Sequence, residues 1–157
     1  MAADDLATTV AQYLQRHHVM TLATCGAGGP WAAAVFYVSV GPALYFLSSP
    51  TSRHCRDLAA NPRCAATVQQ DTGEWQRIQG VQLEGLAVEL QGDEQRLARL
   101  HYGRKFPLVG QPEHAPAPIA AALAKVRWYR LQPTQLHFID NSRGFGQREA
   151  VALDRWR

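Results

Sequence analysis

Residues 46–62 read Phe46-Leu-Ser-Ser-Pro-Thr-Ser-Arg-His-Cys-Arg-Asp-Leu-Ala-Ala-Asn-Pro62. This stretch predicts a strand, a turn rich in hydroxyl side chains, and a short helix over 53–60. Thr51 or Ser52 is suited to cap that helix, because a hydroxyl oxygen can accept a hydrogen bond from a free N–H of the first turn. The helix is expected to end before Asn61-Pro62, since the residue before a proline is disfavoured in the helical conformation.

The charges at the start of this helix allow two interpretations. Arg53 and His54 fall in its first turn, where the helix dipole already disfavours cations. A bound phosphate would offset this, because it accepts hydrogen bonds from free N–H groups, hydroxyls and a guanidinium group together. The other interpretation is a capped surface helix with solvated arginines. The residues alone are compatible with both.

On either side of this stretch, β-branched and aromatic runs alternate with turn residues. They predict strands over 19–24, 31–40, 43–49, 63–70, 77–90 and 127–140. Gly80, Gly85 and Pro133 indicate bulges or bends within the last two of these strands.

Helical periodicity appears only between the predicted strands and at the N-terminus. It predicts helices over 4–16, 93–106 and 119–126 in addition to 53–60, whereas four prolines predict an irregular loop over 107–118. Five or six strands with helices only at the connections indicate an antiparallel barrel with added helices. We find no repeat and no domain boundary, so a single domain over 1–157 is expected.

Composition excludes several classes of protein. The 157 residues include 46% hydrophobic and 18% charged residues, which is ordinary for a globular chain. The longest apolar run, Trp31 to Val38, is far shorter than the roughly 20 residues that cross a bilayer. A net charge of +3 gives no argument for nucleic-acid binding. No secretory signal is visible at the N-terminus, so a cytoplasmic location without membrane association is expected.

The cysteines and histidines do not predict a metal site. Cys25, Cys55 and Cys64 show no C-x-x-C spacing, and no H-x-x-x-H pair occurs. The cysteines are therefore interpreted as free thiols.

A second unusual feature is the segment Trp31-Ala32-Ala33-Ala34-Val35. Alanine is a poor strand former, and three in succession leave the surface of the strand shallow. A flat ring could lie there. Close packing of the first helix would also require small residues, so both interpretations stay open.

At these residues the chain resembles the FMN-binding split-barrel superfamily, the pyridoxamine 5'-phosphate oxidase-like proteins. The phosphate motif of that family matches Phe46, Ser48, Ser52-Arg53 and Asn61-Pro62, with His54 in place of a lysine. The resemblance covers most of residues 5–140. The ending Asp140-Asn-Ser-Arg-Gly-Phe-Gly146 is similar to that of a small bacterial subfamily of uncharacterised proteins.

The resemblance implies an α+β, mainly β fold: an antiparallel split β-barrel of Greek-key type, with about six strands and three or four peripheral helices. It also implies a homodimer with FMN at the subunit interface. Leu47, Ser48, Ser52, Arg53 and His54 would hold the phosphate and ribityl groups. The remaining cofactor-binding candidates are the strand residues Ala33, Ala34 and Val35 against the flavin, Thr67 or Gln82 at its edge, and Arg143 or Arg148 from the partner subunit.

Two functions follow from the resemblance. The first is a flavin-dependent oxidoreductase acting on an unidentified small molecule, with the flavin supplying the chemistry. Pyridoxamine phosphate is not expected as the substrate, because the oxidase's C-terminal Trp and Arg-x-His tract are absent. The alternative is a non-catalytic protein that binds FMN or haem, because a fold does not fix an activity. A dimeric interaction module is a third interpretation.

Overall fold

An eight-stranded antiparallel sheet forms the centre of the computed structural model, which describes residues 3–156, with side chains described from Asp5 onward. In chain order the strands are β1 (Val19–Gly26), β2 (Gly29–Phe36), β3 (Val38–Val40), β4 (Ala43–Ser48), β5 (Arg63–Gln69), β6 (Gln79–Glu89), β7 (Arg127–Asp140) and β8 (Arg148–Ala150). Their spatial order is β2-β1-β5-β6-β7-β4-β3, and β8 pairs with β7.

Within the described residues, five α-helices lie near the N-terminus and in the connections: α1 (Ala3–Arg16), α2 (Arg53–Ala60), α3 (Gly92–Lys105), α4 (Pro107–Gly110) and α5 (Ala117–Leu123). The predicted α+β split-barrel class is confirmed: the sheet is curled into an antiparallel half-barrel with helices around it. The described chain has more strands and helices than expected, because β3, β8 and α4 are very short. Within residues 3–156, no helix has the length and apolar character that a membrane crossing requires.

The strand predicted over 31–40 is divided at Tyr37. β2 pairs with β1, whereas β3 forms a hairpin with β4 across Gly41, whose φ is +57°. The buried Tyr37 hydroxyl donates to the carbonyl of Leu14 at 2.8 Å. The apolar run therefore contains two strands, because Tyr37 turns inward to anchor the end of α1.

The loop predicted over 107–118 is wrong in part. It contains α4 and a 3-10 turn over Pro112–His114, and α5 begins at Ala117 rather than at Ile119. Each of these pieces has a proline in its first turn. Proline is tolerated there because the N–H that it lacks has no helical partner at that position.

The bend predicted near Pro133 is confirmed as a β-bulge. Glu84 pairs with Gln135 and Gly85 pairs with Pro133, which leaves Thr134 as an extra residue of β7. A Cβ on Gly85 would lie 2.2 Å from the carbonyl oxygen of Gln132, so the two backbones approach too closely for a side chain. Gly80, by contrast, lies in regular pairing.

The main hydrophobic core lies between the inner face of the sheet, α1 and α2. α1 contributes Leu6, Val10, Tyr13 and Leu14, the face predicted from its periodicity. A second, smaller cluster lies under α3 and contains Ala98, Tyr102 and Trp128. Ala32 and Ala34 of β2 are exposed, so α1 does not cover the alanine segment.

Candidate ligand-binding site at the start of helix α2

Helix α2 begins at a serine cap. Ser52 is in an extended conformation, and its Oγ accepts a hydrogen bond from the Cys55 N–H at 3.4 Å. The first turn contains no acidic residue. The helix spans Arg53–Ala60, which confirms the predicted limits. Its N–H groups and partial positive charge are therefore not neutralised by a carboxylate in the first turn.

His54 joins the end of β4 to the cap of α2. Its Nε2 lies 2.5 Å from Ser48 Oγ and 3.2 Å from Ser52 Oγ, and only 8% of the residue is exposed. The turn between β4 and α2 thus brings together three of the side chains that the sequence predicted for one site. We call Ser48, Ser52, Arg53 and His54 the α2 corner.

Arg53 is held in place above the β1–β2 turn. Its Nη2 donates to the carbonyl of Gly28 at 3.0 Å, and its guanidinium lies 4.6 Å from the centroid of the Trp31 ring. Nε is 3.9 Å from a carboxylate oxygen of Asp57, and the side chain is 35% exposed. The solvated arginine of the surface-helix interpretation is therefore not what the structure shows at this position.

Asp57 fixes α2 to strand β1. One carboxylate oxygen accepts the Thr24 hydroxyl at 2.9 Å, and both residues are buried. A Cβ on Gly26 would lie 2.1 Å from the other oxygen, so the absence of a side chain there lets the helix approach. At the far end of α2, Asn61 Nδ2 donates to the carbonyl of Cys25 at 3.2 Å. The α2 corner therefore rests on a rigid support.

The sequence did not single out Cys55 or Tyr129 as part of this corner. Burial raises the pKa of the Cys55 thiol, but hydrogen bonds with His54, Ser52, Tyr129 and Ser48 outweigh burial and leave it below its ordinary value. Burial also raises the pKa of Tyr129, and the neighbouring Cys55 raises it further. The position of Cys55, three residues after a cap serine and next to His54, was the only sequence signal for this cluster.

The remaining predicted residues do not converge on the α2 corner. Leu47 packs with the second hydrophobic cluster, on the opposite side of β4 from Phe46. Ala33 and Val35 pair with the buried Leu22 and Met20 and face inward, whereas Ala34 pairs with Thr21 and faces outward.

Arg143 lies beyond β7, where it forms an ion pair with Glu149 at 2.6 Å. Arg148 begins β8 on the neighbouring strand.

Three of the predicted residues instead share one row across the outer face of the sheet. Successive pairings place Ala34, Thr21, Thr67, Gln82 and His137 next to one another on β2, β1, β5, β6 and β7. We call these five residues the outer row. The row starts three residues along β2 from Trp31, which corresponds to about 10 Å. β2 is an edge strand, and Trp31, which pairs with the buried Thr24, lies on its inner face with the α2 corner, whereas Ala34 and the outer row lie on the opposite face.

A family model described as pyridoxamine 5'-phosphate oxidase matches residues 6–140. The chain belongs to the pyridoxamine 5'-phosphate oxidase family. Among curated relatives, the UPF0306 protein YhbP of Salmonella arizonae is 31% identical over 146 residues, which covers 92% of this chain and 91% of that protein.

Solved structures share the fold of this pyridoxamine 5'-phosphate oxidase family chain. A heme binding protein from Mycobacterium smegmatis has a TM-score of 0.74 and 23% identity, over 99% of this chain and 60% of that one. HutZ, a heme storage protein from Vibrio cholerae, has a TM-score of 0.68 and 21% identity, over 88% of this chain and 95% of that one. At these identities the two structures show the fold alone.

The donors of the α2 corner suit a phosphate better than a metal ion. Hydroxyls, a guanidinium group and helix N–H groups all donate hydrogen bonds to an anion. Among residues 3–156, no three His, Cys, Asp or Glu side chains converge in a group that could hold a metal ion. The residues present therefore fit the phosphate end of a nucleotide such as FMN.

Proposed function

We propose that this chain binds FMN, with the phosphate at the α2 corner, and acts as a flavin-dependent oxidoreductase on a small molecule. The observation that carries the proposal is the Ser48–His54–Ser52 cluster at a helix start without an acidic residue. The family match over residues 6–140 supports the same function. When bound, FMN supplies two-electron chemistry between a reductant and an acceptor.

The chain's own contribution is to bind and orient the cofactor. Ser48 and Ser52 donate their hydroxyl hydrogens to phosphate oxygens, while His54 holds both serines in position. Arg53 uses Nη2 on Gly28 and turns Nε towards Asp57, which leaves the N–H groups of Nη1 for the anion. Leu47 contributes through its backbone only, because its side chain belongs to the second hydrophobic cluster.

The flavin ring is assigned to the exposed edge formed by β2. The small side chains of Ala33 and Ala34 leave room on either side of that strand, and Val35 supports it from the core. Thr67 and Gln82 lie two and three strands further across the outer row, and we assign them to the polar edge of the ring, Thr67 as an acceptor because its hydroxyl donates to Gln69 Oε1 at 2.7 Å. A second copy of the chain completes this open site, and Arg143 or Arg148 reaches the cofactor from that copy.

Haem binding is the second candidate function. Two proteins of the same fold are the heme binding protein from Mycobacterium smegmatis and the heme storage protein HutZ. His137 gives this candidate a residue, since it is a partly exposed imidazole on the outer row next to Gln82. A haem site would therefore depend on His137, whereas an FMN site would depend on the α2 corner.

The two candidates are separated by titrating the purified protein with FMN and, independently, with hemin. We expect saturable quenching of flavin fluorescence, with affinity lowered about 100-fold or more in the double variant Ser52→Ala/Arg53→Ala, because two charge-assisted hydrogen bonds are lost. Arg77→Ala, an exposed arginine paired with Glu74, is the matched control and should bind FMN as the wild type does.

The same titrations show which candidate fails. Absence of saturable FMN binding by the wild type rules out the flavin function. A Soret band that disappears in His137→Ala but persists in the serine–arginine double variant would establish the haem alternative instead. Mass spectrometry of any chromophore released from the freshly purified protein identifies the natural ligand.

A further inference from the structure

A concave groove of about 550 Å³ lies between α3 and α4, remote in sequence from the α2 corner and the outer row. This volume falls within the range of small-ligand pockets in proteins. We call it the α3–α4 groove. Its principal side chains are Arg96, Arg99, Leu100, Arg104, Pro107 and Val109.

The groove has a rigid base because two glycines meet where α3 and α4 cross. A Cβ on Gly103 would lie 2.8 Å from the Cα of Gly110, and a Cβ on Gly110 would lie 2.7 Å from the carbonyl oxygen of Gly103. Both glycines line the groove. Any larger residue at either position would push the helices apart, so the shape of the groove depends on both glycines.

No acidic side chain among the described residues neutralises Arg99 or Arg104 of the groove. Arg96 forms an ion pair with Asp93, but both side chains are highly exposed and such a pair is weak. Within the described part of the chain, Arg99 and Arg104 have neither an ion pair nor a hydrogen bond from their side chains, and no Asp or Glu lines the groove. Two free guanidinium groups thus border one cavity.

Apolar surface lies beside these arginines. Leu100 is 51% exposed although it is a leucine on a helix that packs against the core, and Pro107 and Val109 face it across the groove. A simple inorganic anion would leave this apolar surface in water, and an uncharged apolar molecule would leave the guanidinium groups without a partner. The groove is therefore complementary to a molecule that has both an apolar body and an anionic end.

We propose that the α3–α4 groove binds an amphiphilic monocarboxylate. The carboxylate accepts hydrogen bonds from Arg99 and Arg104, since the planar guanidinium matches a carboxylate in geometry and charge. The hydrocarbon chain covers Leu100, Pro107 and Val109. This ligand is additional to the proposed FMN, because no residue of the groove belongs to the α2 corner or to the outer row.

The test is displacement of the fluorescent probe 11-(dansylamino)undecanoate from the full-length protein. We expect dodecanoate to displace the probe saturably, and dodecan-1-ol to require a concentration at least about tenfold higher because it lacks the charge. Arg99→Gln/Arg104→Gln should weaken probe binding by about tenfold or more. Leu100→Ser should weaken it by about fivefold or more through loss of apolar contact.

Arg16→Gln, an exposed arginine on the surface of α1, is the matched control and should leave probe binding unchanged. Circular dichroism confirms that each variant is folded. The proposal is overturned if the wild type binds no probe, if the alcohol competes as well as the carboxylate, or if the double arginine variant binds like the wild type. FMN affinity measured on the same double variant should be unchanged, so the outcomes for the two sites are distinguishable.

Discussion

Arg53 is already positioned by three groups of its own chain. Gly28 accepts one N–H, Trp31 lies under the guanidinium plane, and Asp57 contributes charge at 3.9 Å. A long side chain normally loses rotamer freedom when it binds a ligand, and that loss weakens binding. Here most of that freedom is lost on folding, so an anion at the α2 corner meets an arginine that needs little reorganisation.

Asp140 has a comparable local role at the end of β7. Its Oδ1 accepts hydrogen bonds from the Ser142 N–H at 3.0 Å and from the Ser142 hydroxyl at 2.6 Å, which caps a 3-10 turn over Asn141–Arg143. Partial burial raises the pKa of Asp140, but these bonds, Gln79 and the nearby Arg143 outweigh it and leave the pKa below its ordinary value. The ionised form is therefore favoured in the folded state.

We predict that Asp140→Ala lowers the free energy of unfolding at pH 7 by about 1 kcal/mol, the usual cost of losing a cap. Since the folded pKa lies below the unfolded one, this stabilisation is complete above the unfolded pKa and is lost as pH falls through the folded pKa. Urea denaturation of the wild type and the variant between pH 7 and pH 3 tests this. A stability difference that stays constant down to pH 3 would contradict it.

At the scale of secondary-structure elements, the β6–β7 bulge bends the longest strand pair of the sheet. Thr134 is the extra residue, and its hydroxyl donates to the carbonyl of Glu84 at 3.2 Å. Opposite it, Gly85 lies against the backbone of Gln132 and Pro133. The bend depends on this close backbone contact, because neither backbone can move without breaking the ladder.

We predict that Gly85→Ala lowers the free energy of unfolding by about 2 to 3 kcal/mol, because its methyl group would meet backbone atoms that cannot move aside. Gly73→Ala is the matched control, since a Cβ there has open space around it, and its effect should stay within about 0.5 kcal/mol. Thermal or urea denaturation measures both variants. Equal stabilities for the two would show that the bulge accommodates a side chain.

The elements that sequence alone predicts well are those that depend on local chemistry. Helix α2 is bounded by a serine cap and by Asn61-Pro62, and its limits match the prediction. The division of the apolar run at Tyr37 could not be predicted, because it depends on the hydroxyl bond to Leu14, a contact distant in sequence. β8 was not predicted because its three residues are too few to show a periodic pattern.

The same distinction between local and distant contacts applies to the residues of the candidate site. Ser48, Ser52 and His54 lie close together in sequence, so one turn brings them together. The placement of Thr67 and Gln82 depends on strand register. A shift of the register by one residue would move both side chains from the outer to the inner face of the sheet. Only the pairing of β1, β5 and β6 shows that these two side chains share a row with Thr21.

At the scale of the whole molecule, the outer face of the sheet exposes a shallow patch of alanines. Ala23 pairs with Ala32 on one side and with Ala65 on the other, and Ala34 lies next to them at the start of the outer row. All four are exposed in one chain. Small side chains let another flat surface approach closely, and the free edge of β2 borders the same patch.

The family resemblance implies a homodimer, and we predict that this dimer buries the alanine patch. Light scattering at about 10 µM should then report about 35 kDa, twice the 17.4 kDa of one chain. Ala65→Arg places a long cation in the patch and should yield a particle of one chain, whereas Ala121→Arg on the exposed surface of α5 should leave the dimer intact. Because a cofactor at the subunit boundary needs both chains, FMN affinity should fall at least about tenfold in Ala65→Arg and stay unchanged in the control. A wild-type particle of one chain, or a monomeric variant that keeps full FMN affinity, would place the cofactor site within a single subunit.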